Sequence, residues 1–160
     1  MTKITFHPLP TETVTALRTG GPDANGLPAE HAISDGTGQP CRHCLRQIPK
    51  GAGMLICAHR PFDALQPYAE TGPIFLCSEP CEAYVADALP PVLSTSKGYL
   101  LKGYTADQRI SYGTGSIKAP DDIADYAASL LERPEIAFVD VRSASNNCFM
   151  TRITKTLPAA

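Results

Sequence analysis

Pro40-Cys41-Arg42-His43-Cys44-Leu45-Arg46 and Leu76-Cys77-Ser78-Glu79-Pro80-Cys81 are the stretches on which the reading of this chain turns. Each holds a close pair of cysteines, and residues 45–76 separate the pairs. A tetrahedral zinc site needs two such turns, each bringing two thiolates to one cation. Zinc is a borderline-soft ion that asks for little beyond four packed donors. Pro40 and Pro80 stiffen the turns, and an apolar strand through Ile74-Phe75-Leu76 presents the second pair. Cys41, Cys44, Cys77 and Cys81 are therefore the expected ligands, with zinc as the expected cofactor. Four thiolates leave no open coordination position, so the site is expected to be structural.

Two other readings of the cysteines stand beside this one. Cys41 and Cys44 could form a redox pair, with His43 between them lowering a thiol pKa. The thiols could also be small core residues, since free cysteine is among the most buried residue types. Cys57, in an apolar run, and Cys148, at a strand start, are expected to be core thiols. His43 could take a cysteine's place as ligand, but its neighbour Cys44 would then turn away.

Size and composition fit a globular chain. It has 160 residues, 43% of them hydrophobic and 19% charged, so a core can form. The net charge is −2 and the basic residues are scattered, which argues against a nucleic-acid partner. No stretch of about 18 apolar residues is present, so no membrane span is expected. The first residues lack the apolar run of a secretion signal, which makes the cytoplasm the expected compartment. Thiols stay reduced there, favouring metal or redox roles over disulfides.

The expected fold is α+β: a single domain over residues 1–160, mainly antiparallel sheet, with one or two packed helices and a cysteine-rich, zinc-knuckle-like element. Strands are expected at 3–6, 54–58, 73–77, 99–104, 109–117, 136–141 and 149–154. Residues 105–108 read as a hairpin loop. Thr11 reads as the cap of a short helix ending at Arg18, before Gly20-Gly21-Pro22. Residues 19–40 read as a long loop with a strand near His31–Ile33. A helical turn or two is expected over Ala83–Leu89, before Pro90-Pro91. The strongest helix opens at Asp121-Asp122, where Ile123, Ala124, Ala127, Leu130 and Leu131 recur at helical spacing.

Further strings resemble those of a family. Pro40–Arg46, Arg60-Pro61-Phe62, Pro67–Phe75, Glu79-Pro80-Cys81 and Arg142–Phe149 together are similar to domain-of-unknown-function family 1203, over roughly residues 25–154. The resemblance implies a small cytosolic bacterial protein and supplies no catalytic mechanism. It also implies that relatives carry His where this chain has Cys77 and Cys where it has Thr151. Either residue at 77 donates to zinc. Some relatives lack the first cysteine pair, which would make a metal an accessory to the fold.

Two polar segments could meet a ligand. One runs from His59-Arg60 to Tyr68-Ala69-Glu70-Thr71, and the other is Arg142-Ser143-Ala144-Ser145-Asn146-Asn147. Each follows an expected core strand, where binding groups commonly sit. Arg60 and Arg142 suit a carboxylate or phosphate, Asn146 and Asn147 offer amides, and a desolvated Glu70 beside Tyr68 could act as a base. Ion pairs and an Asn-rich turn explain the same residues without a ligand. The motifs of P-loops, dinucleotide folds and common hydrolases are missing from the sequence. The function this supports is a zinc-stabilised small domain that recognises a small anionic molecule or a peptide. The alternatives are an enzyme using Arg60, Glu70, Arg142 and Asn146 in acid–base chemistry, and a thiol redox protein using Cys41 and Cys44.

Overall fold

The computed structural model describes residues 2–158. Among them lie eight strands, two α-helices and one 3-10 turn. In chain order these are β1 (Ile4–His7), α1 (Thr11–Arg18), β2 (Glu30–Ile33), β3 (Gly53–His59) and β4 (Gly72–Cys77). The 3-10 turn (Pro91–Ser94) follows, then β5 (Tyr99–Tyr104), β6 (Ser116–Lys118), α2 (Pro120–Leu131), β7 (Phe138–Ser143) and β8 (Phe149–Lys155). Every strand pair is antiparallel, so the α+β class holds. The chain gathers into two compact units.

The first unit comprises residues 2–7, 86–89 and 96–158. Its sheet runs β1-β8-β7-β5-β6, with β7 central. Alternation decides which side of the sheet each residue takes. Val139 and Val141 of β7 align with Gly103 and Leu101 of β5, and Val139 also aligns with Ile153 of β8. The α2 residues Ile123, Ala127, Leu130 and Leu131 are fully buried with them. Pro120 opens α2 at a position where no N–H is needed, and Asp121 and Asp122 sit in its positive first turn. The opposite face of β7 carries Phe138 and Asp140. Buried Asp140 holds Arg152 of β8 through two hydrogen bonds of 2.7 and 3.0 Å, and that guanidinium lies 3.7 Å over the Phe138 ring. Burial pushes the Asp140 carboxyl up, against the opposing pull of Arg152.

The second unit comprises residues 8–85 and 90–95. Its sheet runs β2-β3-β4. Leu55 and Cys57 of β3 align with Leu76 and Ile74 of β4, and all four are buried. Val14 and Leu17 of α1 join the same core, so the amphipathic face of that short helix explains its stability better than its length does. Gly20 and Gly21 end α1. Their N–H groups donate to Leu17 and Ala16 (3.3 and 2.8 Å), and Gly20 takes a φ of 94° that glycine tolerates. In the 19–40 segment Asp23 acts as a local hub. Its Oδ1 accepts from the N–H groups of Asn25 and Leu27, and its Oδ2 from Ala58 of β3. These donors hold the Asp23 carboxyl below its ordinary range.

The structure corrects four expectations. Pro10, not Thr11, holds the N-cap place of α1, and the Thr11 hydroxyl bonds the His43 ring instead. Residues 83–89 are not helical, and the Tyr84 N–H donates to the His43 carbonyl (3.0 Å). The 109–117 segment is a strand only from Ser116. Between, Gly113 turns at a φ of 91° and Thr114 takes over the ladder. Arg142 lies within β7 rather than in a loop, and is buried.

Thr114 is fully buried, and its hydroxyl accepts from Gly103 N–H (2.9 Å) while donating to Ser111 C=O (2.6 Å). Thr114→Val keeps the shape and removes both bonds. It is expected to lower unfolding free energy by about 1–3 kcal/mol in denaturant titrations, with an unchanged m-value. Asp23→Asn is expected to cost about 1 kcal/mol at neutral pH. A carboxyl with a lowered pKa contributes stability above its ordinary value and loses it as pH falls through the lowered one. The gap between the two proteins should therefore close in acid, below about pH 4. A gap that persists there would refute the assignment to carboxylate charge.

Candidate metal centre

The first cysteine turn is a tight local hairpin. Cys41 N–H donates to Arg46 C=O (2.9 Å), and Leu45 N–H donates to Cys41 C=O (3.0 Å). Pro40 and Gln47 bridge at its base. The turn closes because Leu45 takes a left-handed φ of 55°, rare for a branched side chain. What holds it there is packing: Leu45 is fully buried, and its carbonyl accepts from Val92 N–H (3.1 Å).

The two turns meet through β4. Cys41 forms a parallel bridge with Phe75, and Arg42 N–H donates to Phe75 C=O (3.1 Å). Cys77 lies two residues further along that strand, so its sulfur arrives beside Cys41. Cys81 returns over the site after Ser78-Glu79-Pro80. The sulfurs of Cys41, Cys44, Cys77 and Cys81 all lie within 4.8 Å of one another. The Cys41–Cys81 separation is 3.9 Å. Four sulfurs at about 2.3 Å from one tetrahedral ion stand about 3.8 Å apart, so the arrangement fits a metal ion with small adjustments.

Donors surround the sulfurs. Cys41 Sγ accepts from the N–H groups of His43 (3.4 Å) and Cys77 (3.3 Å). The Cys44 and Cys77 thiols point at Cys41 and hold its pKa far below the ordinary thiol range despite burial. Their own pKa values rise in return, Cys44 to about 12. Cys81 Sγ takes two further contacts, from Arg18 Nη2 (3.1 Å) and His43 Nδ1 (3.2 Å). Desolvation lowers the pKa of His43 against the opposing pull of Cys41, and Arg18 adds to the lowering. A neutral ring with its proton on Nδ1 donates to Cys81 and leaves Nε2 to accept from Thr11 Oγ1 (2.9 Å). Arg18 also donates to the Cys77 carbonyl through Nε (3.0 Å). α1 thereby braces the centre from both its ends, as outer partners orient metal ligands.

The expected ligand set of four cysteines is thus brought together, and Cys44 is not displaced by His43. Cys57 is a core thiol, its pKa raised by burial to about 11. Cys148 is half-exposed, a correction to its expected core place. Arg18 and Thr11 carry no local sequence signal for their role, because only folding brings α1 to the second cysteine turn. Asp140 did carry a signal, a lone charge inside Phe138-Val139-Asp140-Val141.

The polar residues divide between the units. Arg60, Tyr68 and Glu70 are half-buried in the second, where Arg60 Nε donates to Phe62 C=O (3.2 Å) and Tyr68 N–H to Gln66 Oε1 (2.8 Å). In the first, Arg142 Nη1 donates to Asn147 C=O (3.1 Å). Asn147 takes a φ of 58°, so Asn146-Asn147 forms the turn between β7 and β8. Among the described residues no helix is long and apolar enough to cross a membrane.

Fold and site together define an α+β protein with a four-cysteine, knuckle-like cluster able to hold a metal ion. The model of the family described as protein of unknown function (DUF1203) matches residues 38–155, and the chain belongs to that family. No curated protein and no solved structure matches it.

Leu45 offers a test of the knuckle. At ordinary positions glycine is less stable than alanine by about 0.5–1 kcal/mol. At a left-handed position the order should reverse. Leu45→Ala is expected to cost about 2–5 kcal/mol from lost packing, and Leu45→Gly about 1 kcal/mol less. Equal or inverted thermal midpoints would show that the φ of Leu45 is not what closes the turn.

Proposed function

We propose that this chain is a small domain stabilised by a structural zinc ion, and that its polar segments recognise a small anionic ligand. The observation carrying the zinc reading is the convergence of four sulfurs, from residues 41, 44, 77 and 81, within 4.8 Å. A tetrahedral all-sulfur set suits zinc or iron, and a closed set of four protein ligands suits a structural rather than a catalytic ion. Backbone N–H donors on Cys41, and Arg18 and His43 on Cys81, offset the charge that four thiolates leave around a divalent cation. The anion reading draws on Arg60, Tyr68 and Glu70 in one unit and on Arg142, Asn146 and Asn147 in the other. Arginine forks suit a carboxylate or phosphate, and Tyr68, Asn146 and Asn147 carry neutral donors in the same segments.

Protein purified without added metal is expected to contain one zinc per chain and to show no iron–thiolate absorption. A ligand present at about 1,000 times its dissociation constant stabilises a fold by about 4 kcal/mol, which at this size is roughly 8–16 °C. A strong chelator, or Cys77→Ser, is expected to lower the midpoint by about that much. Elemental analysis with parallel calorimetry checks both. A metal-free sample with the same midpoint as the untreated protein defeats the reading.

A further inference from the structure

A cleft of about 480 Å³ opens in the second unit between one side of α1 and the end of β3. It falls within the usual size of small-molecule sites, and its lining is mostly apolar. Ala16 and Leu17 form the helical wall, with Pro22, Ala24 and Ala58 completing the apolar surface. Polar groups reach it at Thr13, Asp23, His59 and Arg60.

These polar groups are not equivalent. The Asp23 oxygens already accept three backbone N–H groups, which spends much of that carboxylate on the protein itself. Arg60 uses only its Nε internally, on the Phe62 carbonyl. That bond fixes the plane of the guanidinium and leaves the Nη groups for an incoming acceptor. A fixed planar fork beside an apolar wall matches a carboxylate attached to a hydrocarbon body. Charge narrows the class further. The Asp23 charge is met by backbone N–H groups, which leaves the single cation Arg60 to meet one negative charge and penalises a phosphate dianion.

The wall is also held in place before any ligand arrives. α1 is tied at its start by Thr11 to His43 and at its end by Arg18 to Cys77 and Cys81. Thr13, Ala16 and Leu17 lie between those two ties. A wall ordered in advance reduces the entropy lost on binding.

We infer that this cleft binds a small monocarboxylate with a compact apolar body, its carboxylate on Arg60 and its body against α1 and Ala58. The inference deepens the ligand half of the proposed function, on which it rests, and names the site and the ligand class.

The test is an amide NMR titration of the full-length protein as purified, with sodium 4-methylpentanoate as the probe. Saturable shifts are expected at residues 13–17 and 58–60. Arg60→Gln should weaken binding at least tenfold, and 4-methylpentanamide, which has the same body without charge, should not saturate. Inorganic phosphate should bind more weakly than the carboxylate. Ala16→Glu provides a second variant. It changes an exposed helical position, leaves Arg60 intact and sets a negative charge at the wall, so it too should weaken binding at least tenfold. Absence of saturable shifts in a folded sample overturns the inference, as does equal affinity in Arg60→Gln. Zinc assayed on the same sample separates the two readings. Saturable phosphate shifts without carboxylate binding defeat this inference alone, binding of neither anion defeats the ligand reading with it, and carboxylate binding without zinc defeats the metal reading alone.

Discussion

The second unit depends on one convergence: Cys77, at the end of β4, must arrive beside Cys41 in a turn thirty-six positions earlier. Backbone pairing accomplishes this before any metal is considered. The parallel bridge between Cys41 and Phe75 and the bond from Arg42 N–H to Phe75 C=O set the turn against the strand. The strand itself is registered by the burial of Ile74 and Leu76 against Cys57 and Leu55. Hydrophobic alternation in β4 therefore fixes where Cys77 lies, and the bridge fixes where Cys41 lies. A cation closing four sulfurs would lock a geometry that the core already favours, so metal binding would reinforce core packing.

Charge explains why α1 is built as it is. Four thiolates around a divalent ion leave two negative charges, and a half-buried site cannot shed both into water. Arg18 brings a full positive charge to the Cys81 sulfur and the Cys77 carbonyl, while His43 brings a neutral N–H. The helix delivering Arg18 is two turns long and would be marginal by itself. It persists because Val14 and Leu17 anchor it in the same core from which the cysteines emerge. The cysteine cluster and the helix beside it share one hydrophobic foundation, which holds α1 in place although it is short.

What was legible in the sequence was whatever one strand or turn decides alone. The cysteine pairs, the short apolar strand at 74–76, the periodicity over 123–131 and the apolar strand expected at 136–141, which runs from Phe138 to Ser143, were all read from local sequence. Illegible features needed two distant segments. Thr11 has the residue type of a helix cap, yet its hydroxyl is taken by His43, thirty-two residues away. Residues 109–115 look like strand, yet the side chain of Thr114 outcompetes the backbone for Gly103. In each case a hydrogen-bonding group met a tertiary partner that local propensity could not foresee.

The two units handle buried charge by different physics. In the first, Asp140 is removed from water entirely and is compensated by a bidentate guanidinium that also stacks on Phe138. Such a pair is complete within the chain and holds β7 to β8 in one register, since a slip of one residue would turn Asp140 toward the Val139 side. In the second, the Cys41 sulfur is buried, receives only two long backbone N–H contacts, and has three more sulfurs within 4.8 Å. Sulfurs this close cannot all ionise without a counter-charge, so the cluster is a poor place for bare thiolates and a good one for a cation. A divalent ion removes that conflict by holding all four sulfurs deprotonated at once. The asymmetry between a self-contained ion pair and an unfinished thiol cluster is the physical reason to look for metal in the second unit and not in the first.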